Sequence, residues 1–112
     1  MQAKFTHSIL FVADMDKAIA FYRDVMGLPV KFQSPFWSEF DTGPVTLALH
    51  PASETNPAGR VQLGFGTPDL PAVYAARQAH GLTFSAPPVD EHGTLLSRIV
   101  DCEGAEVSLS GG

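Results

Sequence analysis

The sequence predicts an α+β protein built from two tandem βαβββ modules, and three observations carry that prediction. A helix pattern that starts at an aspartate and ends at a glycine occurs twice along the chain. The two copies keep an almost constant spacing, since Asp69 follows Asp14 by 55 residues and Gly81 follows Gly27 by 54. A polar, proline-rich segment divides the copies. Repetition at a fixed spacing indicates a duplicated supersecondary unit.

The first module is predicted to open with a strand and a helix. Residues 6–12 alternate as a buried strand, which places His7 on one face together with the isoleucine and phenylalanine that follow. Asp14 or Asp16 then starts a helix by accepting its unpaired amide hydrogens. Gly27 supplies the left-handed stop that ends the helix.

Three short strands complete the first module. They are predicted at residues 30–33, 36–41 and 45–50, separated by Ser-Pro and Thr-Gly-Pro turn signals. Alternation along the middle strand places Trp37 and Glu39 on one face.

The second module is predicted to repeat this order after the linker at residues 51–59. It has a strand at 60–65, a helix from about 67–69 to 80 with Gly81 as its stop, and strands near 83, at 95–100 and at 105–109. We expect one domain over residues 1–112, with repeats at about 1–52 and 60–112. By size scaling, such a chain buries about 65% of the surface that its unfolded form exposes.

Charge and composition exclude several classes of partner. The net charge is −5, from 7 basic and 12 acidic side chains, and no cluster of basic residues is present to contact a nucleic-acid backbone. No apolar run approaches the roughly 20 residues of a membrane span. The N-terminal residues lack the layout of a secretory signal, and Cys102 is the single cysteine. The cytoplasm is the expected compartment.

Two motifs resemble those of the vicinal oxygen chelate superfamily, which includes glyoxalases, extradiol dioxygenases, fosfomycin-resistance enzymes and bleomycin-resistance proteins. Residues 101–105 are similar to the superfamily's Asp-Pro-Asp-Gly-Asn turn before the last strand. The opening signature is carried by His7, Leu10, Val12, Asp14, Met15, Asp16, Ile19, Phe21, Tyr22, Met26, Gly27 and Leu28. The resemblance spans essentially the whole chain, and it implies a fold more than an activity.

The resemblance implies a curled mixed sheet around an open cup, helices on the outer face and a homodimer. Metal enzymes of the superfamily take ligands from the first and last strands of each half. The matching positions here are His7, Gln62, Ala48 and Ser108, so the glutamate ligands of the superfamily are missing. His and Gln alone do not supply the three ligands that hold a divalent ion. We therefore predict neither a metal nor another cofactor.

An alternative metal site remains open from the residues. A strand bulge would bring His7, His50 and Glu106 together as two imidazoles and one carboxylate. The chain would then be a metal-dependent lyase, isomerase or dioxygenase. Without such a bulge, we expect His50 to lie at the end of its strand on the protein surface. We expect Glu106 to be a solvent-exposed carboxylate at the sheet edge, a solvated edge charge.

The inner face of the cup is instead predicted to bind a small organic molecule. Trp37 suits stacking on a flat ligand, with a core or dimer-interface position as the equal alternative. Arg98 either meets a ligand anion or pairs with Asp101 or Glu103. A further hypothesis is that His7 acts as a general base and that Glu106 orients its imidazole ring. The predicted ligand-binding residues are His7, Trp37, Glu39, Thr46, His50, Gln62, Arg98, Glu106 and Ser108.

The leading hypothesis is a cytoplasmic, homodimeric protein of the bleomycin-resistance type that holds a partly aromatic ligand without metal. A pocket of this kind is mostly apolar, with a few placed polar groups. The alternatives are the metal-dependent enzyme and an interaction module with an empty cup.

Overall fold

The computed structural model describes residues 1–111, which contain eight strands. The first module runs β1 (Lys4–Val12), α1 (Met15–Ala20), a π-helical continuation (Phe21–Val25), β2 (Val30–Phe32), β3 (Ser38–Asp41) and β4 (Thr46–Pro51). The second module runs β5 (Val61–Gly66), α2 (Leu70–Ala75), β6 (Thr83–Glu91), β7 (Thr94–Val100) and β8 (Glu106–Ser110). The predicted α+β class and its two βαβββ modules are confirmed.

The chain forms two compact units. The first unit is Thr6–Gln62, and the second joins Met1–Phe5 to the chain from Leu63 onward. In the first unit the strand order is β2-β3-β4-β1, with β1 and β4 parallel and the other pairs antiparallel. In the second the order is β5-β8-β7-β6, with β5 and β8 parallel. Each module thus mixes parallel and antiparallel pairing in the same way.

The first unit buries apolar side chains on both faces of its sheet. On the helix side, Ile19 of α1 packs with Val12, Phe40 and Leu49. On the opposite side, a cluster of Ile9, Phe11 and Ala48 packs with Trp37 and Ala52. The predicted alternation along β1 and β3 is therefore confirmed, since neighbouring residues join different clusters.

Both helices begin at the predicted aspartates. The Asp14 carboxylate accepts a hydrogen bond from the Lys17 amide at 3.0 Å, and the Asp69 carboxylate accepts one from the Ala72 amide at 3.1 Å. Asp14 rather than Asp16 is therefore the cap of the first helix. The two equivalent caps support the duplication that the 55-residue spacing predicted.

The second helix ends earlier than predicted, whereas the first continues as a π-helix to Val25, close to its predicted stop at Gly27. α2 stops at Ala75 instead of residue 80, because no residue between Val73 and Gly81 is buried and short helices depend on an apolar face for stability. Gly27 and Gly81 do adopt the predicted left-handed conformation, with φ of 72° and 70°. Within residues 1–111, neither helix is both long and apolar enough to cross a membrane.

Several strand boundaries also differ from the prediction: β1 begins two residues early, at Lys4, and one or both ends of β2, β4, β5, β7 and β8 shift by one residue. β3 begins at Ser38 rather than residue 36, because the amides of Phe36 and Trp37 donate to the Ser34 hydroxyl in a turn. β6 runs from Thr83 to Glu91, far beyond the short strand expected near residue 83. The side chains of β6 are almost all exposed or half-buried, so hydrophobic alternation gave little sign of its length.

A β-bulge occurs at the same place in both modules. In the first, Val30 pairs with Phe40 while Phe32 pairs with Glu39, which leaves Lys31 as the extra residue. In the second, Phe84 pairs with Ile99 and Ala86 with Arg98, which leaves Ser85 as the extra residue. Ser85 follows Lys31 by 54 residues, the spacing that also separates the two glycine stops.

Candidate functional site

The candidate site lies on the face of the first unit's sheet that α1 does not cover. The strand register places alternate residues of β1, β3 and β4 on this face, and Trp37 joins them from the turn before β3. We name this surface the open face and define it by His7, Ile9, Phe11, Trp37, Glu39, Thr46, Ala48 and His50. The predicted site residues of the first module therefore share one surface.

Glu39 is the polar centre of the open face. Its Oε2 atom accepts a hydrogen bond from the indole Nε1 of Trp37 at 2.9 Å. The same oxygen lies 3.6 Å from the Nε2 atom of His7. The other imidazole nitrogen of His7, Nδ1, lies 2.9 Å from the hydroxyl of Thr6. A carboxylate that accepts an indole hydrogen bond and lies next to an imidazole suits recognition or proton transfer.

Aromatic rings surround this carboxylate on one side. The Trp37 ring centroid lies 6.1 Å from that of His7 and 6.2 Å from that of His50. Phe11 meets His50 edge-on, with centroids 5.3 Å apart. His50 is exposed, and its Nδ1 donates to the Pro51 carbonyl oxygen at 2.8 Å. The expectation that His50 lies at the surface is confirmed, but its ring also belongs to the aromatic group.

Lys31 is a polar residue of this surface that sequence reasoning missed. Its Nζ atom donates to the Thr46 hydroxyl at 3.1 Å, and Thr46 pairs with His7 between β4 and β1. Thr46 itself is buried, with 8% of its surface exposed. Simple alternation along β2 does not reveal this contact, because Lys31 is the bulge residue.

The second unit holds Arg98, Glu106 and Ser108. Glu106 accepts a hydrogen bond from the Ser85 hydroxyl at 2.7 Å and lies 3.4 Å from the Arg98 guanidinium. Ser108 pairs with Gly64 of β5 and with Arg98 of β7.

Two expectations for these residues were wrong. Arg98 pairs with Glu106 and not with Asp101 or Glu103, because Arg98 and Glu106 lie diagonally across neighbouring strands. The Asp101 carboxylate instead accepts the amides of Glu103 and Ala105 within the turn. Glu106 is accordingly a bonded carboxylate with 33% of its side chain exposed, and not a solvated edge charge.

The residues of the alternative metal triad lie on strands with regular pairing. Across residues 1–111, no three His, Cys, Asp or Glu side chains gather closely enough to hold a metal ion. The bulge needed to displace His50 or Glu106 does not occur either, since β4 and β8 keep regular register with their neighbours. His7 contacts Glu39 instead. Gln62, the other position implied by the superfamily, is buried on β5.

Two shallow depressions lie away from these residues. One, of about 290 Å³, is lined by residues of α1 and of the turn before β3: Asp16, Ile19, Gln33, Ser34 and Pro35. The other, of about 410 Å³, follows the end of α2 over residues 75–79. Neither contains a carboxylate fixed by neighbouring donors, so the open face is the better candidate for recognition.

The fold and the sequence together define the class of this protein. The chain matches the model of the Glyoxalase/Bleomycin resistance protein/Dioxygenase superfamily over residues 4–108. It therefore belongs to this superfamily, and the resemblance drawn from its motifs is confirmed. No curated protein matches the chain in sequence.

Solved structures show the same fold at low sequence identity. A hypothetical protein from Bacillus halodurans superposes with a TM-score of 0.80 at 14% identity, covering 100% of this chain and 96% of that one. A methylmalonyl-CoA epimerase in complex with methylmalonyl-CoA and NH4+ gives 0.73 at 20% identity, covering 100% and 96%. A Streptomyces coelicolor methylmalonyl-CoA epimerase variant with 2-nitronate-propionyl-CoA gives 0.75 at 20% identity, covering 97% and 94%. Similarity at this level shows the fold alone.

Proposed function

We propose that this chain is a small-molecule-binding protein whose open face holds a partly aromatic organic ligand without metal. The observation that carries the proposal is the Glu39 carboxylate, which is bonded to Trp37 and lies next to His7, beside a group of aromatic rings. Binding sites for small molecules combine apolar surface with a few polar groups that fix orientation. The open face has both.

The aromatic rings supply contact area and geometry. Trp37 is half-buried, and its indole nitrogen is already committed to Glu39, so the orientation of its ring is set before a ligand arrives. A pre-oriented ring loses little side-chain freedom on binding. An offset or edge-to-face contact with a ligand ring then adds affinity beyond the buried area.

Trp37 also makes the proposal testable, because it is the one tryptophan of the chain. We expect aromatic small molecules to change Trp37 fluorescence and to show contact with the protein in ligand-observed NMR. Trp37→Leu is expected to weaken binding in the NMR experiment roughly tenfold. Phe36→Leu is the matched control, since Phe36 is the neighbouring residue and 77% exposed. Absence of binding, or turnover of the ligand by the metal-stripped protein, would contradict the proposal.

The pair of His7 and Glu39 favours a second candidate, an enzyme that moves a proton. A carboxylate beside an imidazole is a suitable acid–base group. Similarity of fold to methylmalonyl-CoA epimerases makes an acyl-CoA thioester the substrate to try first. Incubation with methylmalonyl-CoA in deuterium oxide, followed by mass spectrometry, would then show deuterium incorporation that Glu39→Gln loses. Glu54→Gln, at an exposed position of the linker, is the control.

Several finer features belong to the same proposal. Arg98, Glu106, Gln62 and Ser108 remain proposed ligand-binding residues, and the protein is proposed to be a homodimer in the cytoplasm. The exposed, free Cys102 is consistent with a reducing compartment.

A further inference from the structure

Lys31 brings a positive charge to the open face. It lies between Val30, which pairs with Phe40, and Phe32, which pairs with Glu39. Bulges commonly re-aim a side chain next to a functional site. Here the bulge residue reaches across β3 to the Thr46 hydroxyl on β4, 3.1 Å away. The hydroxyl and the ammonium therefore form a polar pair at the end of the open face that His7 occupies.

Lys31 forms no direct ion pair with residues 1–111, and the carboxylate of Asp41, which pairs with Thr46 between β3 and β4, accepts the Gly43 amide. Among the same residues, Thr46 is the one hydrogen-bond partner of the Lys31 ammonium group. An ammonium has three donors, so two remain for another acceptor. A neutral hydroxyl next to an ammonium without an ion pair is suited to bind an anion.

The second module shows the contrast at equivalent positions. There the bulge residue Ser85 also contacts the first residue of the last strand, Glu106. In that module the charge is compensated, because Arg98 lies 3.4 Å from the same carboxylate. Both modules therefore have a contact between the bulge residue and the first residue of the last strand. Within residues 1–111, the charged group of this contact has an ion-pair partner in the second module, where it is Glu106, but not in the first, where it is Lys31.

We infer that Lys31 and Thr46 bind the anionic group of the ligand, and that the ligand of the open face is an elongated aromatic organic acid. This inference rests on the proposed function and names its ligand class. Thr46 and His50 are four residues apart on β4, about 13 Å along the strand. An anionic group at Thr46 and a ring near Trp37 and His50 fit that separation. Glu39 pairs with Ala48, about 7 Å along the strand from Thr46, and is left to accept a donor from the ligand.

The test uses three probes that share an extended phenylhexyl skeleton and differ in charge. These are 6-phenylhexanoate, the neutral 6-phenylhexan-1-ol and the cationic 6-phenylhexylammonium. Binding to the full chain is followed through Trp37 fluorescence. We expect the carboxylate to bind about tenfold or more tightly than the alcohol, because a hydrogen bond to a charged group is stronger than a neutral one.

Substitutions of Lys31 and Thr46 test which residues cause the preference for the carboxylate over the alcohol. Lys31→Met is expected to bring the affinities of the carboxylate and the alcohol to within about twofold of each other, and Lys31→Arg is expected to retain the preference for the carboxylate. Thr46→Val should reduce it in part, since the hydroxyl is lost at nearly constant volume. Lys17→Met is the matched control, because Lys17 is an exposed lysine of α1 on the other side of the sheet.

Equal binding of carboxylate and alcohol, tighter binding of the ammonium, or an unchanged preference in Lys31→Met would overturn the inference while the proposed function stands. If none of the three probes alters Trp37 fluorescence or binds by calorimetry, the proposed function itself fails, and the assignment of Lys31 fails with it.

Discussion

At the scale of single residues, neighbouring positions of the chain have opposite environments. Phe36 is 77% exposed, whereas Phe40 is fully buried with Val12, Ile19 and Leu49. Between them, Trp37 and Glu39 turn to the open face. Alternation was visible in the sequence and predicted the two faces. The contact between Glu39 and His7 could not be predicted, because the sequence of one strand does not specify its register with a neighbouring strand.

The two phenylalanines provide a direct check of this arrangement. We expect Phe40→Ala to lower the free energy of unfolding by about 3–5 kcal/mol, since it leaves a cavity in the core. Phe36→Ala should change it by less than about 0.5 kcal/mol. Denaturant titrations of the two variants measure the difference. A large loss in Phe36→Ala would show that its side chain is buried, for example in an interface between copies.

At the scale of elements, the capped helices were the most predictable part of the fold. Aspartate at the start and glycine at the stop are local signals. Asp14 and Asp69 cap the helices as predicted, and Gly27 and Gly81 adopt the left-handed conformation, although α2 ends at Ala75, before it reaches Gly81. Helix length was less predictable, because it depends on which side chains find a core to pack against. The bulge at Lys31 was not predictable, since no glycine or other local signal marks it.

The cap of α1 supplies an element-scale prediction. Asp14→Ala is expected to cost about 1 kcal/mol of stability, because the Lys17 amide loses its acceptor. Asp16→Ala removes a carboxylate from the same helical turn without removing the cap, and should cost only a few tenths of a kcal/mol. The free energies of unfolding of the two variants, measured with denaturant, separate the contribution of the capping hydrogen bond from that of a negative charge near the helix start. Equal losses would contradict the assignment of Asp14 as the cap.

At the scale of the whole molecule, self-association is the first property to measure. Phe21, Val25 and Met26 recur at helical spacing after α1, and each is about half or more exposed. Exposed apolar patches of this kind mark interaction surfaces. We expect a homodimer in sedimentation experiments and a dissociation constant raised at least about tenfold by Val25→Lys. Val89→Lys, at an exposed position of β6, is the control. A monomeric wild-type protein would contradict this expectation.

Cooperativity of unfolding is the second property of the whole chain. We expect residues 1–112 to unfold as one domain, as small chains of this size generally do. Trp37 fluorescence reports the first unit alone, whereas far-ultraviolet circular dichroism reports the helices and strands of both. The two unfolding curves should coincide. A Trp37 transition at a different denaturant concentration would show that the units unfold separately.

The repeated bulge has a consequence for how such a chain diverges after duplication. The bulge residue has no partner on the neighbouring strand and is exposed in both modules, so its side chain is not needed to fill the core. The bulge residue is a lysine, Lys31, in the first module and a serine, Ser85, in the second. Each module therefore carries one exposed position at which we expect a point substitution to change the surface chemistry at little cost to folding. That is the kind of position through which a single scaffold acquires new ligands.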